Sequence, residues 1–366
     1  MKISIMAVAL CAIGAMDLRA QTTVTSQSSV PTMTNYQVVR QEANSRVWQR
    51  ETYETGPNGE VVTNVQGYTE LASGLNHLVN GQYVASTEEI DILPDGTAAA
   101  TNGQHQAFWP SDILNGEIEL VTPDGKQLKS QPAALSYDDG SNTVLIAVLT
   151  NSIGQIIGDN QVIYTNAFAG LDADILFTYT RSGFEQDIVI RSQPPNPESL
   201  GLIASNTSLQ VMSEFFSPPQ PTETTNTLPE QAGLALTDDT LDFGLMQMVQ
   251  GKAFILGETT PSASVAKSWV TMGERQFLVE EVPLGALADE FETLPPTSEV
   301  QASITTGIRG IAKKLVLPPQ HLAKTTTHPL RLAGNMMNMK RGVLLDYITV
   351  NSSFTNATFQ GDTTYY

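Results

Sequence analysis

Cysteine occurs once, at Cys11, so the chain cannot close an intramolecular disulfide or build a zinc site from several thiolates. Positive charge is also scarce. Nineteen Lys and Arg stand against 38 Asp and Glu, and a net charge of −19 lacks the basic footprint that nucleic-acid binding needs. After the first twenty residues no apolar run is long enough to span a bilayer. Histidine is limited to His77, His105, His321 and His328, and no two of them have a local metal-ligand spacing. No G-x-G-x-x-G, P-loop, H-E-x-x-H, G-x-S-x-G or EF-hand loop is present. No catalytic, cofactor-binding or metal-binding residue is therefore assigned, and no cofactor is expected. What is present is apolar. Hydrophobic residues make up 41% against 16% charged, which excludes a disordered chain and predicts a sizeable core.

Residues 1–20 read as a secretory signal peptide, with Lys2 as the charged start, an apolar stretch over 3–16, and Ala20 before a cut at Gln21. The mature chain would then contain no thiol, in keeping with export. A bulky Leu10 before Cys11 argues against lipidation of that cysteine. Residues 21–35, rich in Ser, Thr and Gln, read as a flexible lead.

From 36 onward the signal is β-hairpins. Pro57-Asn58-Gly59, Asn80-Gly81, Pro94-Asp95-Gly96, Asn102-Gly103, Pro123-Asp124-Gly125 and Asp138-Asp139-Gly140 punctuate short runs of Val, Ile, Tyr and Thr. These turns are too closely spaced for crossover helices. The expected fold is mostly β, with antiparallel hairpins forming a β-sandwich-like module and little helix. The clearest hairpin spans 173–191. Ala173, Ile175, Phe177 and Tyr179 alternate with polar residues, and after Ser182-Gly183 so do Phe184, Ile188 and Ile190. Val144 to Leu149 is continuously apolar, as in a strand buried on both faces.

Composition divides the rest. Residues 36–193 read as one β-rich domain and 194–300 as a second β-rich part, with a Pro-rich linker at 217–229. In the second part, hairpins are expected around Gln250-Gly251 and Met272-Gly273, followed by a short helix from Leu284 to Phe291. Residues 301–341 hold Arg and Lys without Asp or Glu and read as a basic linker. Residues 342–366 read as the start of a further β region, which suggests that the chain is a fragment of a longer protein.

The runs Tyr68 to Asn76, Asn80 to Val84, Leu120 to Lys126, Gly183 to Asp187 and Leu241 to Gly244 resemble an N-terminal region of very large secreted bacterial proteins. Those proteins continue into parallel β-helix segments or into repeats of the RHS/YD type. Gly342 to Tyr347 resembles the lead-in to such a β-helix. The resemblance implies a β-rich head module exported by a Gram-negative bacterium, and it carries no catalytic residues.

Four adjacent carboxylate pairs could supply glycosidase chemistry: Glu88-Glu89, Asp138-Asp139, Asp238-Asp239 and Glu280-Glu281. Read as strand residues, Glu88-Glu89 and Glu280-Glu281 point to opposite faces and cannot share a cleft. Asp138-Asp139 and Asp238-Asp239 read as turn caps, which could also hold Ca²⁺ weakly. Trp48, Trp109 and Trp269, with Tyr36, Tyr53, Tyr68 and Tyr83, are either a sugar-stacking platform or core packing. The expected function is a secreted, non-enzymatic structural or interaction module at the head of a larger exported or cell-surface protein. Its expected partners are other protein domains or surface polysaccharide, with neither nucleic acid nor a membrane span after signal removal. The alternative is a carbohydrate-active protein, either a sugar-binding module or a hydrolase.

Overall fold

The computed structural model describes residues 32–297, 331–333 and 343–352. The fold is mostly β and antiparallel, and among the described residues the α-helix is limited to Ala288–Glu292. No helix there is long and apolar enough to cross a membrane. The chain divides into two units.

The first unit holds residues up to 37 and 49–67. Thr32 and Met33, in the expected flexible lead, pair with Tyr53 and Thr52. The tight turn at Pro57-Asn58-Gly59 is closed by Gly56 N–H donating to the Glu60 carbonyl at 2.8 Å, with Gly59 at φ +85°.

The second unit holds 38–48 and the chain from 68 onward. One of its sheets is built on the long strand Gln127–Asp138. That strand pairs along one edge with Ser208–Phe215, and on the other with Ile118–Val121 and then Thr143–Leu149. Ser208–Phe215 pairs in turn with Arg275–Pro283, and that strand with Ala263–Met272. The second sheet runs through Gly154–Ile157, Gln161–Tyr164, Ala173–Thr180, Gly183–Ile190 and Val343–Ser352. The far edge of Val343–Ser352 takes both Met246–Val249 and Gly251–Ile255. Ala263–Met272 joins the sheets: its first residues pair with Gly251–Ile255, and the rest with Arg275–Pro283. The pairings together close into a barrel.

Period-two alternation explains which side chains fill it. Ala173, Ile175, Phe177, Tyr179, Phe184, Ile188 and Ile190 are all buried in the main core, as the sequence predicts. Trp109 stacks on Phe184 with centroids 6.0 Å apart, and Phe177 meets Tyr164 edge-on at 6.0 Å. The opposite faces are not all wet. Leu176 and Val189 join Ile157 and Ile163 in a separate buried cluster. Leu145 of Thr143–Leu149 packs with Ala134, Met212 and Phe277, while Ile146 and Leu149 enter the main core, so that strand is buried on both faces as expected.

Several expectations are revised. Gln250-Gly251 is not a hairpin turn, because the strands before and after it both lie along Val343–Ser352 instead of pairing with each other. Of residues 342–366, which the sequence suggests open a further region, the described part Val343–Ser352 is an interior strand of the second sheet. The break at 193/194 does not separate two cores, since Ser208–Phe215 lies against Gln127–Asp138. The Pro-rich stretch 217–229 contains the exposed strand Thr222–Thr227, paired with Thr237–Asp242. The Met272-Gly273 hairpin forms, with Met272 opposite Arg275. The predicted helix becomes a 3₁₀ turn, Leu284–Leu287, running into Ala288–Glu292. Within residues 301–341, only 331–333 are described, as a strand parallel to Gly154–Ile157.

Candidate functional site

A cleft of roughly 540 Å³ in the second unit is lined by Ser86, Thr87, Glu88, Glu89, Asp159, Asn160 and Arg181. Three pieces of chain build it. Residues 86–90 follow the strand Gln82–Ala85 as irregular chain outside any strand. Their backbone is pinned by Ser86 N–H to Leu75 O, Thr87 N–H to Asn102 O and Ile90 N–H to Asp159 O, at 2.8–2.9 Å. Asp159 and Asn160 come from the turn joining Gly154–Ile157 to Gln161–Tyr164. The Asn160 amide nitrogen donates to Tyr179 O at 2.9 Å, and the Tyr179 N–H donates back to Asn160 O at 2.9 Å. Arg181 sits in the two-residue turn between Ala173–Thr180 and Gly183–Ile190. Its backbone lies so close to Gly74 that a Cβ there would stand 1.8 Å from the Arg181 carbonyl oxygen, so only glycine fits, and it does so at φ +69°.

Three carboxylates and one guanidinium therefore converge. Glu88 accepts the Arg181 backbone N–H at 2.9 Å, and its same oxygen lies 3.6 Å from the Arg181 Nε. Glu89 and Asp159 are exposed. Beneath the cleft, the Tyr179 hydroxyl donates to His105 O at 2.7 Å, and burial followed by the charge of Glu88 raises its pKa. Gly103 makes room for that hydroxyl, since a Cβ there would lie 2.0 Å from it. The arrangement can bind polar, hydroxyl-rich or cationic groups at its rim. Among the described residues no group of His, Cys, Asp or Glu could hold a metal ion.

Glu88-Glu89 thus corrects the sequence expectation. The pair does not lie on a strand, so the alternation rule does not apply and both residues line one cleft. Asp159, the third carboxylate, carried no sequence signal beyond its Gly158-Asp159-Asn160 turn, because its neighbour in space is about seventy residues away. Asp238-Asp239 is corrected too. It lies within Thr237–Asp242, not in a turn. Asp238 is buried and accepts from Lys267 Nζ at 2.8 Å, while Asp239 accepts from Thr225 Oγ1 at 2.6 Å. Asp138-Asp139 does cap its turn, with Asp139 Oδ1 accepting from Ser141 and Asn142 N–H. Glu280 and Glu281 share the strand Arg275–Pro283: Glu280 is buried, and Glu281 accepts from Gln210 at 3.2 Å.

The sequence places His105, close before Phe108 and Trp109, at a half-buried strand position. It is fully buried in the bend just before Gln106–Trp109, its Nε2 3.2 Å from Gly183 O, and desolvation pushes its pKa down to about 4. His77 is half-buried, with Nδ1 3.5 Å from Ser86 Oγ, while His321 and His328 lie outside the described residues. The aromatic residues are not gathered into one strip. Trp109 is core, and Trp269 packs edge-on against Phe215 and Phe243. Trp48 stacks on Tyr68 at 6.1 Å and donates to Glu70 at 2.9 Å. Tyr36 lies under the Arg50 guanidinium. Tyr53 donates to Glu51, and the Tyr83 carbonyl accepts from Gln41.

No family model, curated protein or solved structure matches the chain.

Proposed function

We propose that this chain is a secreted, non-enzymatic interaction module at the N-terminus of a larger exported or cell-surface protein of the β-helix or RHS type. One observation carries the reading. Among the described residues, the exposed large hydrophobic side chains other than Ile203, Leu245 and Ile255 fall between Met33 and Ile92. Exposed apolar side chains that neighbour one another, as Val61, Val62 and Val65 do along one strand of the first unit, are a usual mark of a surface that meets a partner. The solitary Cys11 and the signal-like residues 1–20 agree with export.

The test has two arms. Membrane-impermeant biotinylation should reach the chain equally on intact and lysed cells. A panel of aryl glycosides and polysaccharides should give no turnover above that of the Glu89→Gln/Asp159→Asn double variant. Labelling only after lysis, or turnover abolished by the double substitution, overturns the reading.

The cleft itself favours a second reading, a carbohydrate-active protein. Glu88, Glu89 and Asp159 surround one polar cavity, and carboxylate pairs are what glycoside hydrolysis requires. Glu88 is engaged by Arg181, which leaves Glu89 and Asp159 as its acid–base candidates. Turnover in the same assay would establish this reading in place of the first.

A further inference from the structure

We propose that Lys267 and Asp238 join into a side-chain amide, a covalent staple that the chain forms in its own core with Glu280 as the proton carrier. The proposal concerns the barrel and is independent of what the cleft or the exposed strand meets. All three residues belong to the second unit.

The starting point is where the charges sit. Lys267 and Asp238 are each 2% exposed, and Glu280 is 1% exposed. Charged side chains are almost never buried this deeply unless paired, because taking an ion out of water is costly. Lys267 lies on Ala263–Met272 and Glu280 on Arg275–Pro283, and the two stand directly opposite each other in that ladder. Opposed residues of an antiparallel pair share a face, with Cβ atoms about 4.5–5.5 Å apart. Asp238 comes from Thr237–Asp242, and its Oδ1 accepts from the Lys267 backbone N–H at 3.1 Å and from Nζ at 2.8 Å.

The surroundings are apolar. By strand alternation Val265 and Trp269 flank Lys267 on its face, and Leu278 and Val282 flank Glu280. Across its other edge Glu280 stands opposite Val211. Val211, Val265, Leu278 and Val282 are buried in the main core, and Trp269 packs against it. Two acids and one amine thus share an apolar site. A plain ion pair needs only one of the acids. A second one, held across the ladder from the amine, is what acid–base catalysis of a condensation requires.

The chemistry balances without oxidant or reductant. Passing one ammonium proton to the carboxylate turns the pair into amine and acid, neutral forms that cost less than ions where water is excluded. The 2.8 Å contact holds Nζ beside the carboxyl carbon, near the separation of about 3–3.5 Å from which reacting atoms bond. The Nζ lone pair attacks Asp238 Cγ, and the Nζ–Cγ bond forms. Glu280 accepts the proton that the nitrogen sheds and returns it to the departing hydroxyl. The Cγ–O bond breaks and one water leaves. Glu280 ends as it began, and two buried charges have become a neutral amide. Exclusion of water then protects the amide from hydrolysis. The link closes the loop between residues 238 and 267, in a chain whose single cysteine can form no intramolecular disulfide.

The test is mass spectrometry of the full chain, purified and denatured. Its intact mass should fall one water below that calculated for the same N- and C-termini. Cyanogen bromide, which cuts after methionine, should leave residues 213–246 joined to 249–272 without the intervening Gln247-Met248. Incomplete cleavage would retain that dipeptide, so the two products are distinguishable. Lys267→Arg keeps the cation but has no amine to condense, and should restore the full mass and separate the fragments. Glu280→Gln should cut the linked fraction at least about tenfold with circular dichroism unchanged, because glutamine keeps the shape and cannot carry the proton. Full mass and separate fragments in the unaltered chain overturn the proposal, whether or not either variant folds. A folded Glu280→Gln chain that links as completely as the original removes Glu280 from the reaction.

Discussion

Two hairpins of similar appearance meet opposite fates. The strand Val61–Leu71 is rich in Val and Thr, and nearly all of its residues are exposed. Ala173–Thr180 and Gly183–Ile190 are as rich in β-formers and largely alternate apolar and polar side chains, yet both of their faces are covered. Alternation specifies which residues share a face, but not whether anything lies over that face. In the second hairpin the inner face meets Trp109 and Tyr164 across the core, and the other gathers Leu176 and Val189 with Ile157 and Ile163. That burial, at about 25 cal/mol per Å² of apolar surface, is what the exposed hairpin forgoes.

The comparison can be broken most severely by deleting residues 342–366. If Val343–Ser352 is the shared neighbour of Gly183–Ile190 and Gly251–Ile255, its loss leaves two unpaired strand edges in the middle of a sheet. Circular dichroism and urea titration of the shortened chain should then show loss of the cooperative transition. An unchanged midpoint would mean that the segment is dispensable.

Phe177→Ala comes next, with an expected cost of about 3–5 kcal/mol for a cavity among Trp109, Tyr164 and Phe184. Val62→Ala in the exposed hairpin should cost no more than about 0.5 kcal/mol, and equal shifts in the urea midpoint would erase the contrast. Lys267→Ala should be of similar size to Phe177→Ala, about 3–5 kcal/mol, because it strands the buried carboxylate of Asp238 without its cation. The exposed Arg40–Glu42 pair should contribute about 0–1 kcal/mol when probed the same way.

A smaller effect separates the hairpins by pH. His105, which touches Tyr179 and Gly183 of the buried hairpin, resists protonation until about pH 4, whereas the unfolded chain takes up that proton near 6.5. The unfolded state binds more protons across that window, so stability falls as pH drops through it, by about 1.4 kcal/mol per pH unit at most. His105→Gln should flatten this part of the stability profile measured by urea midpoints. A slope identical to that of the original chain would assign the effect to carboxylates instead.

Much of the fold was legible where partners are close in sequence. The Ala173–Ile190 hairpin, the doubly buried Val144 to Leu149 run and the Met272-Gly273 hairpin follow from alternation and turn chemistry. What escaped depends on distant chain. Gln250-Gly251 resembles a turn until a strand from about a hundred residues later lies alongside both of its flanks. Asp238-Asp239 resembles a turn because two aspartates look too polar for a strand, and only Lys267 makes one of them tolerable inside. The cleft carboxylates were visible as residues but not as neighbours, because Glu88 and Asp159 meet only after several hairpins have folded.

The position of Val343–Ser352 also governs the order in which the molecule can be made. Its neighbours Gly183–Ile190 and Met246–Ile255 leave the ribosome long before it does, and neither can complete its ladder until residue 352 has appeared. Closing a sheet across loops of this length costs chain entropy before any contact repays it, which places such topologies among the slower folders. Both neighbours therefore wait for residues 343–352, and the barrel cannot close before that strand has appeared.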